Sequence, residues 1–250
     1  MSRDERSSFP RVVSEATDSA AIRILERGAI EVLGALPNAS NHTFLARVTD
    51  GDAAVRAVYK PRDGESPLWD FPDGTLWQRE IAAWHVSERL GFGFVPPTLA
   101  REGPYGIGSV QLFVDHDPSM HYLNMPPEFD DLFRLVCLFD LLINNADRKA
   151  GHCLLDPKTS RIWMVDHGVS FHEDTKVRTV IWDFAGEPMP PVGLDAVRRF
   201  CADVAADPGP LEALLSRDEL VALGRRAERV VAAGVFPDPG PGRPFPWPPV

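Results

Sequence analysis

At 250 residues, 44% hydrophobic and 25% charged, the chain has the proportions of a soluble globular protein and length enough for one large domain or two lobes. Its formal net charge of −10 argues against generic binding to nucleic acid or anionic membrane, since both reward an excess of Lys and Arg. No run approaches the roughly 18 apolar residues of a membrane span. The first twenty residues lack the apolar centre of a signal peptide. Cys137, Cys153 and Cys201 are too few and too widely spaced for a disulfide framework or a zinc ligand set. A reducing, cytoplasmic setting is the expectation.

In chain order, residues 1–17 read as a flexible leader, and "DSAAIRILERG" as a short helix ended by Gly28. "AIEVLGAL", "HTFLARVTD" and "AAVRAVYKP" are β-branched runs separated by "PNASN" and "DGD", the punctuation of an antiparallel meander with a hairpin at Asp50-Gly51. "PRDGESPLWDFPDG" is loop chemistry. The spacing of Leu76, Ile81, Trp84 and Leu90 predicts a helix over about 74–90 that stops at Gly91, and "FVPPTLARE" and "YGIGSVQLFVD" follow as two further strands.

Beyond the linker "HDPSMHYLNMPPE" the pattern becomes helical. Leu132, Leu135, Val136, Phe139, Leu142 and Ile143 fit one helical face and predict a helix over 128–144. Short strands near 152–155 and 161–165 are joined by the turn residues "DPKTS". "GLDAVRRFCADVAA" and "SRDELVALGRRAERVVAAG" supply two more helices, and the Pro-rich tail 237–250 reads as an extended arm. The fold class expected is α+β in two lobes: an N-terminal antiparallel sheet lobe over 18–115 and a mainly helical lobe over 116–236.

Two carboxylates stand out. Asp147, in "LLINNADRKAGHCLLD", lies just past the buried helix, and Asp166, in "WMVDHGVSF", just past the second short strand. Pairing 152–155 with 161–165 brings both loops to one end, which is how protein-kinase-like phosphotransferases hold a catalytic Asp and a magnesium-binding Asp. Taken singly, each Asp is more simply a cap or a hydrophilic bend. The first lobe weakens that reading, because Lys60 sits within an apolar strand where a charge needs a reason. Glu80 lies on the next helix, one turn before Trp84, and "PNASNH" supplies a turn between the first two strands.

"NNADRKAGHCLL" followed by "WMVDHGVSF" resembles the catalytic and metal-binding loops of the phosphatidylinositol 3-/4-kinase-like branch of the protein-kinase-like fold, and of an actinobacterial kinase-related branch. The resemblance implies that Asp147 orients the attacking hydroxyl or accepts its proton, and that Asp166 binds Mg2+ bridging the β- and γ-phosphates of ATP. It also implies that Lys60 contacts the α- and β-phosphates while paired with Glu80. Ser40 and Asn41 would cover the phosphates, and Gln111, Phe113 and Val114 would form the hinge that reads adenine. Two departures accompany it: no glycine lies between Pro37 and His42, and His152 stands where kinases of this fold place a second metal-binding Asn. Mg2+ prefers oxygen ligands. A neutral imidazole can ligate a metal, so His152 is expected beside Asp166 as a metal ligand; either another group completes the site, or the chain handles one metal, prefers Mn2+, or is catalytically weak.

The reading is an ATP-dependent phosphotransferase acting on an unidentified hydroxyl, with a nucleotide-binding pseudokinase or an AMP-transferring enzyme as alternatives on the same fold. The acceptor is a small molecule, a protein or a lipid, although no basic amphipathic helix or polybasic run favours a lipid surface. Arg148 is left to pair with a carboxylate or line the acceptor entrance. Trp69, Trp77 and Trp84 are read as core or lobe interface.

Overall fold

Short β-branched runs, each closed by turn residues, form one antiparallel sheet in the first half of the chain. In the computed structural model, which describes residues 15–37 and 40–250, they are β1 (Ala29–Ala35), β2 (Phe44–Asp50), β3 (Ala53–Pro61), β4 (Thr98–Gly103) and β5 (Gly106–Leu112), in spatial order β1-β2-β3-β5-β4. The expected hairpin is present: Asp50 pairs with Ala53 across a turn in which Gly51 has φ 59°. Helix α1 (Glu15–Arg27) starts earlier than the leader reading placed it, and the rest of that leader, residues 1–14, lies outside the described residues. Leu25 of α1 closes a small core with Ala46, Val48, Ala57, Tyr59 and Val110.

Strands β3 and β5 run unusually close where Lys60 leaves the sheet. A Cβ on Gly108 would lie 2.3 Å from the Lys60 carbonyl oxygen, so only glycine fits there. Gly108→Ala is expected to push β3 away at Lys60 and to destabilise the protein by about 1–3 kcal/mol, the usual cost of overpacking. A denaturation midpoint equal to that of the native protein would show that the strands separate freely.

Helix α2 (Leu76–Leu90) follows the loop. Its first turn is capped from outside: the Glu65 carboxylate accepts the Leu76 N–H at 3.0 Å and the Trp77 N–H at 2.7 Å. Its last turn ends at Gly91, φ 73°. Ala82, Ala83, Trp84, Val86 and Leu90 enter the large core of the second half, alongside Phe133, Phe139, Val197 and Leu223. The helix connecting the sheet strands is therefore also part of the helical half.

That half consists of α3 (Asp130–Ile143), a hairpin of β6 (Cys153–Asp156) and β7 (Arg161–Met164), α4 (Pro191–Ala206), a single turn α5 (Leu211–Leu214) and α6 (Arg217–Ala233). The hairpin strands fall within a residue of their expected ends. α5 was not anticipated, because one turn carries no periodicity. α6 opens on a capping box in which Ser216 and Glu219 satisfy each other's backbone N–H groups. Trp84 is buried as expected, but Trp69 is 92% exposed on the loop before α2, with the Lys176 ammonium 5.3 Å from its ring centre. The proline-rich tail is irregular yet docked rather than free. Pro244 O accepts the Thr179 N–H (3.0 Å) and the Trp182 indole N–H (3.1 Å), and Pro249 O accepts the Ala150 N–H (2.8 Å).

Candidate active site

The loop carrying Asp147 is shaped before any ligand arrives. Asn144 stops α3 in the left-handed region, φ 57°, and its side chain donates to His172 O and Asp174 O. Asn145 Oδ1 accepts the Asp147 N–H at 3.0 Å, while its amide nitrogen donates to Asp140. Arg148 is fully buried and meets Asp140 with two parallel 2.9 Å hydrogen bonds. It also donates to Val165 O (2.9 Å) and to His167 Nε2 (2.7 Å), which fastens the Asp147 loop to the exit of β7. Burial would lower this guanidinium, but Asp140 more than compensates and holds it above its ordinary value. Of the two roles left open for Arg148, the structure selects pairing with a carboxylate.

Cys153 pairs with Met164 in the hairpin, so the loops at 147 and 166 do emerge at one end. Asp166 adopts φ 61°, a conformation costly for a residue with a β-carbon and one that must be held by its surroundings. They hold it: the Val165 N–H donates to His152 O (3.0 Å), the His167 N–H to Glu80 Oε2 (2.9 Å), and the Phe171 N–H to Ile143 O (2.6 Å). The half-exposed Asp166 carboxylate faces two partners. Lys60 Nζ lies 2.8 Å from Oδ1 and His152 Nε2 lies 3.3 Å from Oδ2.

Lys60 also pairs with Glu80, which through the His167 N–H is itself bonded to the Asp166 loop. One ammonium thus joins β3, α2 and the end of β7. Burial would lower the Lys60 ammonium, yet the charges of Asp166 and Glu80 hold it above its ordinary value, while Lys60 holds the half-exposed Asp166 well below the carboxylate range. Asp147 goes the other way. Burial raises it and the nearby Asp166 charge adds to that, opposed by Lys149, whose Nζ is 3.3 Å away, and by Arg178.

The structure therefore gathers Lys60, Glu80, Asp147, Asp166 and His152 at one place. Ser40 and Asn41 are fixed differently: Asn41 Oδ1 accepts the Ser66 N–H (2.8 Å) and Ser40 O accepts the Ser66 hydroxyl (2.9 Å), tying this turn to the loop after β3. Asn38 and Ala39, beside them, lie outside the described residues. At the end of β5, the Gln111 amide donates to Thr98, the Phe113 N–H donates to Arg56 O, and Val114 O faces the His116 ring. The Phe113 N–H is therefore engaged within the sheet lobe. A cavity of about 500 Å³ near Trp69, His172 and the start of α6 is lined by none of these residues.

Among the described residues, no three His, Cys, Asp or Glu side chains come together as metal ligands. A half-exposed Asp166 with a lowered proton affinity is a residue that could hold a hard cation through its carboxylate. Sequence reasoning missed three supports of the site. One is Asp140, detectable as a carboxylate inside the most apolar helix. Another is Lys149. The third is Arg79, which donates to Ser170 O (2.9 Å) and pairs with Glu219 of α6.

The chain is 41% identical over 266 aligned positions to Protein Rv2133c of Mycobacterium tuberculosis (strain ATCC 25618 / H37Rv), covering 90% of this chain and 94% of that protein. It belongs to the Rv2133c family. The family chain is also 27% identical over 207 positions to phosphatidylinositol 4-kinase gamma 4 of Oryza sativa subsp. japonica, across 67% of its own length but 36% of the kinase. No protein-family model matches it. Among solved structures it resembles the Golgi casein kinase, with a TM-score of 0.56 at 15% identity over 92% of this chain and 80% of that one. It also resembles the Helicobacter pylori proinflammatory kinase CtkA, at 0.52 and 13% over 83% and 93%. Hydra Fam20 is similar at 0.52 and 16%, over 89% of both chains. The fold is α+β and protein-kinase-like, an antiparallel sheet lobe followed by a mainly helical one, and no helix among the described residues is long and apolar enough to cross a membrane.

Proposed function

We propose that this Rv2133c-family protein is an ATP-dependent phosphotransferase of the phosphatidylinositol 3-/4-kinase-like type, moving the γ-phosphate to a hydroxyl acceptor. The observation that carries the reading is Lys60 held between Glu80 and Asp166, with Asp147 presented from a loop that Arg148 locks to the same strand exit. Asp147 orients the acceptor hydroxyl and takes its proton as the acceptor oxygen bonds to the γ-phosphorus and the bond to the β–γ bridging oxygen breaks, releasing ADP. The raised affinity of Asp147 for a proton suits that task. Lys60 meets the α- and β-phosphates, and Glu80 keeps its ammonium in place. Lys149 adds positive charge beside the transferred group. Asp166 would hold Mg2+ or Mn2+, which when bound would supply neutralisation of phosphate charge. Ser40 and Asn41 cover the phosphates, and Gln111 to Val114 border the adenine. Catalysis then rests on positioning and charge rather than on covalent chemistry. The likeness to the rice kinase supports the type and leaves the acceptor open, since it spans little of that protein.

Incubation of the protein with ATP labelled separately at the α- and γ-phosphates tests the reading. Transfer of γ-label alone is expected. Transfer of α-label instead would assign AMP transfer, and metal-dependent binding without either would make the protein a pseudokinase. The Lys60–Glu80 pair adds a second expectation. Lys60→Met should weaken metal-dependent nucleotide binding at least tenfold, roughly 1.4 kcal/mol, and Glu80→Gln should do the same more mildly. Because Glu80 acts through Lys60, the double variant should be no worse than Lys60→Met. Losses that simply add, measured by calorimetry, would show that the two act separately.

A further inference from the structure

We propose that His152 is a positioning residue for the Asp166 carboxylate rather than a metal ligand, and that the site holds a single divalent ion through Asp166. This rests on the phosphotransferase reading and changes the expected role of His152, which the sequence placed as a second ligand.

The argument is one of hydrogen positions. His152 Nδ1 lies 3.3 Å from the backbone nitrogen of Lys149, in the geometry of an N–H donating to the ring. A backbone N–H has no lone pair to offer, so Nδ1 must present its own. A doubly protonated ring would aim one N–H at another, and the opposite neutral tautomer would do the same. The ring hydrogen therefore sits on Nε2, and Nε2 faces Asp166 Oδ2 at 3.3 Å. A ring nitrogen that carries its hydrogen has no lone pair for a cation, and its positive edge stands beside the carboxylate. The backbone of His152 reinforces the arrangement, since its carbonyl accepts the N–H of Val165, next to Asp166.

Asp166 thus has the Lys60 ammonium bonded at Oδ1 and the His152 ring edge 3.3 Å from Oδ2, in a backbone conformation that needs support. What distinguishes this site from one with an Asn at position 152 is the sign of the group offered. An Asn side chain has a carbonyl oxygen to give a second cation, whereas this imidazole sets a hydrogen-bearing nitrogen beside the ligand of the first. His167 provides an internal contrast. Its Nε2 faces Arg148, a donor only, so its hydrogen sits on Nδ1, opposite to His152.

Nitrogen-15 NMR of the full chain, with the His152 signals assigned by their loss in His152→Asn, reads the tautomer directly. The Nε2–H form is expected in the free protein and after addition of Mg2+ with a non-hydrolysable ATP analogue. An Nε2 that loses its hydrogen on adding Mg2+ would overturn the proposal. Electron paramagnetic resonance with Mn2+ and the same analogue is expected to show one bound ion per chain; two spin-coupled ions would also overturn it. Because outer-shell partners of a metal ligand commonly contribute 10–100-fold in metal affinity, His152→Ala should weaken Mn2+ binding by roughly tenfold or more. His152→Gln, which keeps an N–H donor, should recover most of that loss. Equal losses in both variants that merely follow a lowered melting temperature would reduce His152 to scaffold and refute the positioning role. Failure of the phosphotransferase reading looks different: no metal-dependent nucleotide binding by the native protein, which would remove both claims.

Discussion

Asp147→Asn is expected to lower the rate of phosphoryl transfer by roughly 10²–10⁴-fold, the range over which a positioned general base contributes, while nucleotide affinity and melting temperature stay close to native. The separation follows from how the loop is built. Its shape is set by Asn144, Asn145 and Arg148, and the Asp147 backbone N–H is the part of that residue held by Asn145. The Asp147 carboxylate itself meets the Lys149 ammonium at 3.3 Å, a contact outside the loop's backbone frame. An amide of the same shape keeps the loop and removes the proton acceptor. Single-turnover transfer of γ-label, alongside calorimetric titration of the nucleotide, checks both halves. A rate within tenfold of native would take Asp147 out of the chemistry.

Arg148→Met is expected to give the largest loss of stability. Asp140 has no exposure to solvent, and with its guanidinium removed it keeps one hydrogen bond, from Asn145. Breaking a buried pair in this way costs roughly 3–5 kcal/mol, equivalent to a fall of roughly 6–20 °C in melting temperature for a chain of this size. Asp140→Leu alone should destabilise comparably, since it strands the arginine. The double variant Asp140→Leu with Arg148→Met should be more stable than either single one, because no uncompensated charge remains. Transfer activity should nevertheless stay low in the double variant, since the Val165 carbonyl has lost the donor that joins the two loops. Thermal melts of the four proteins decide the matter. Losses that add would show that the two residues do not act as a pair.

Much of this site could be read from the sequence because its signals are local. The helical spacing from Leu132 to Ile143 placed α3, the turn residues at 156–160 placed the hairpin, and a lysine inside an apolar strand announced Lys60. Glu80 followed from helical phase. What escaped depends on partners distant in sequence or on atoms that a residue letter does not specify. Arg79 and Glu219 are 140 positions apart, so neither predicts the other. The tail's composition correctly excluded regular structure. It is silent on docking, because proline still carries a carbonyl that accepts hydrogen bonds, and Pro244 and Pro249 use theirs on loops from the middle of the chain. Trp69, expected in the core or at the lobe interface, is exposed, because a loop aromatic obeys no periodicity that would orient it. The direction of the His152 hydrogen required knowing what lies on either side of the ring.

The packing of α2 bears on how such a protein is switched. In kinases, activity is commonly governed by the placement of the helix that carries the lysine's glutamate. Here that helix is buried on both sides of Glu80, pinned by Arg79 to Ser170 and to α6, and capped from outside by Glu65. Swinging it outward would expose Ile81, Ala83, Trp84 and Val86 together and strand two buried charges. The Lys60–Glu80 pair is therefore held by the same packing that joins the sheet half to the helical half, and parting it means opening the core.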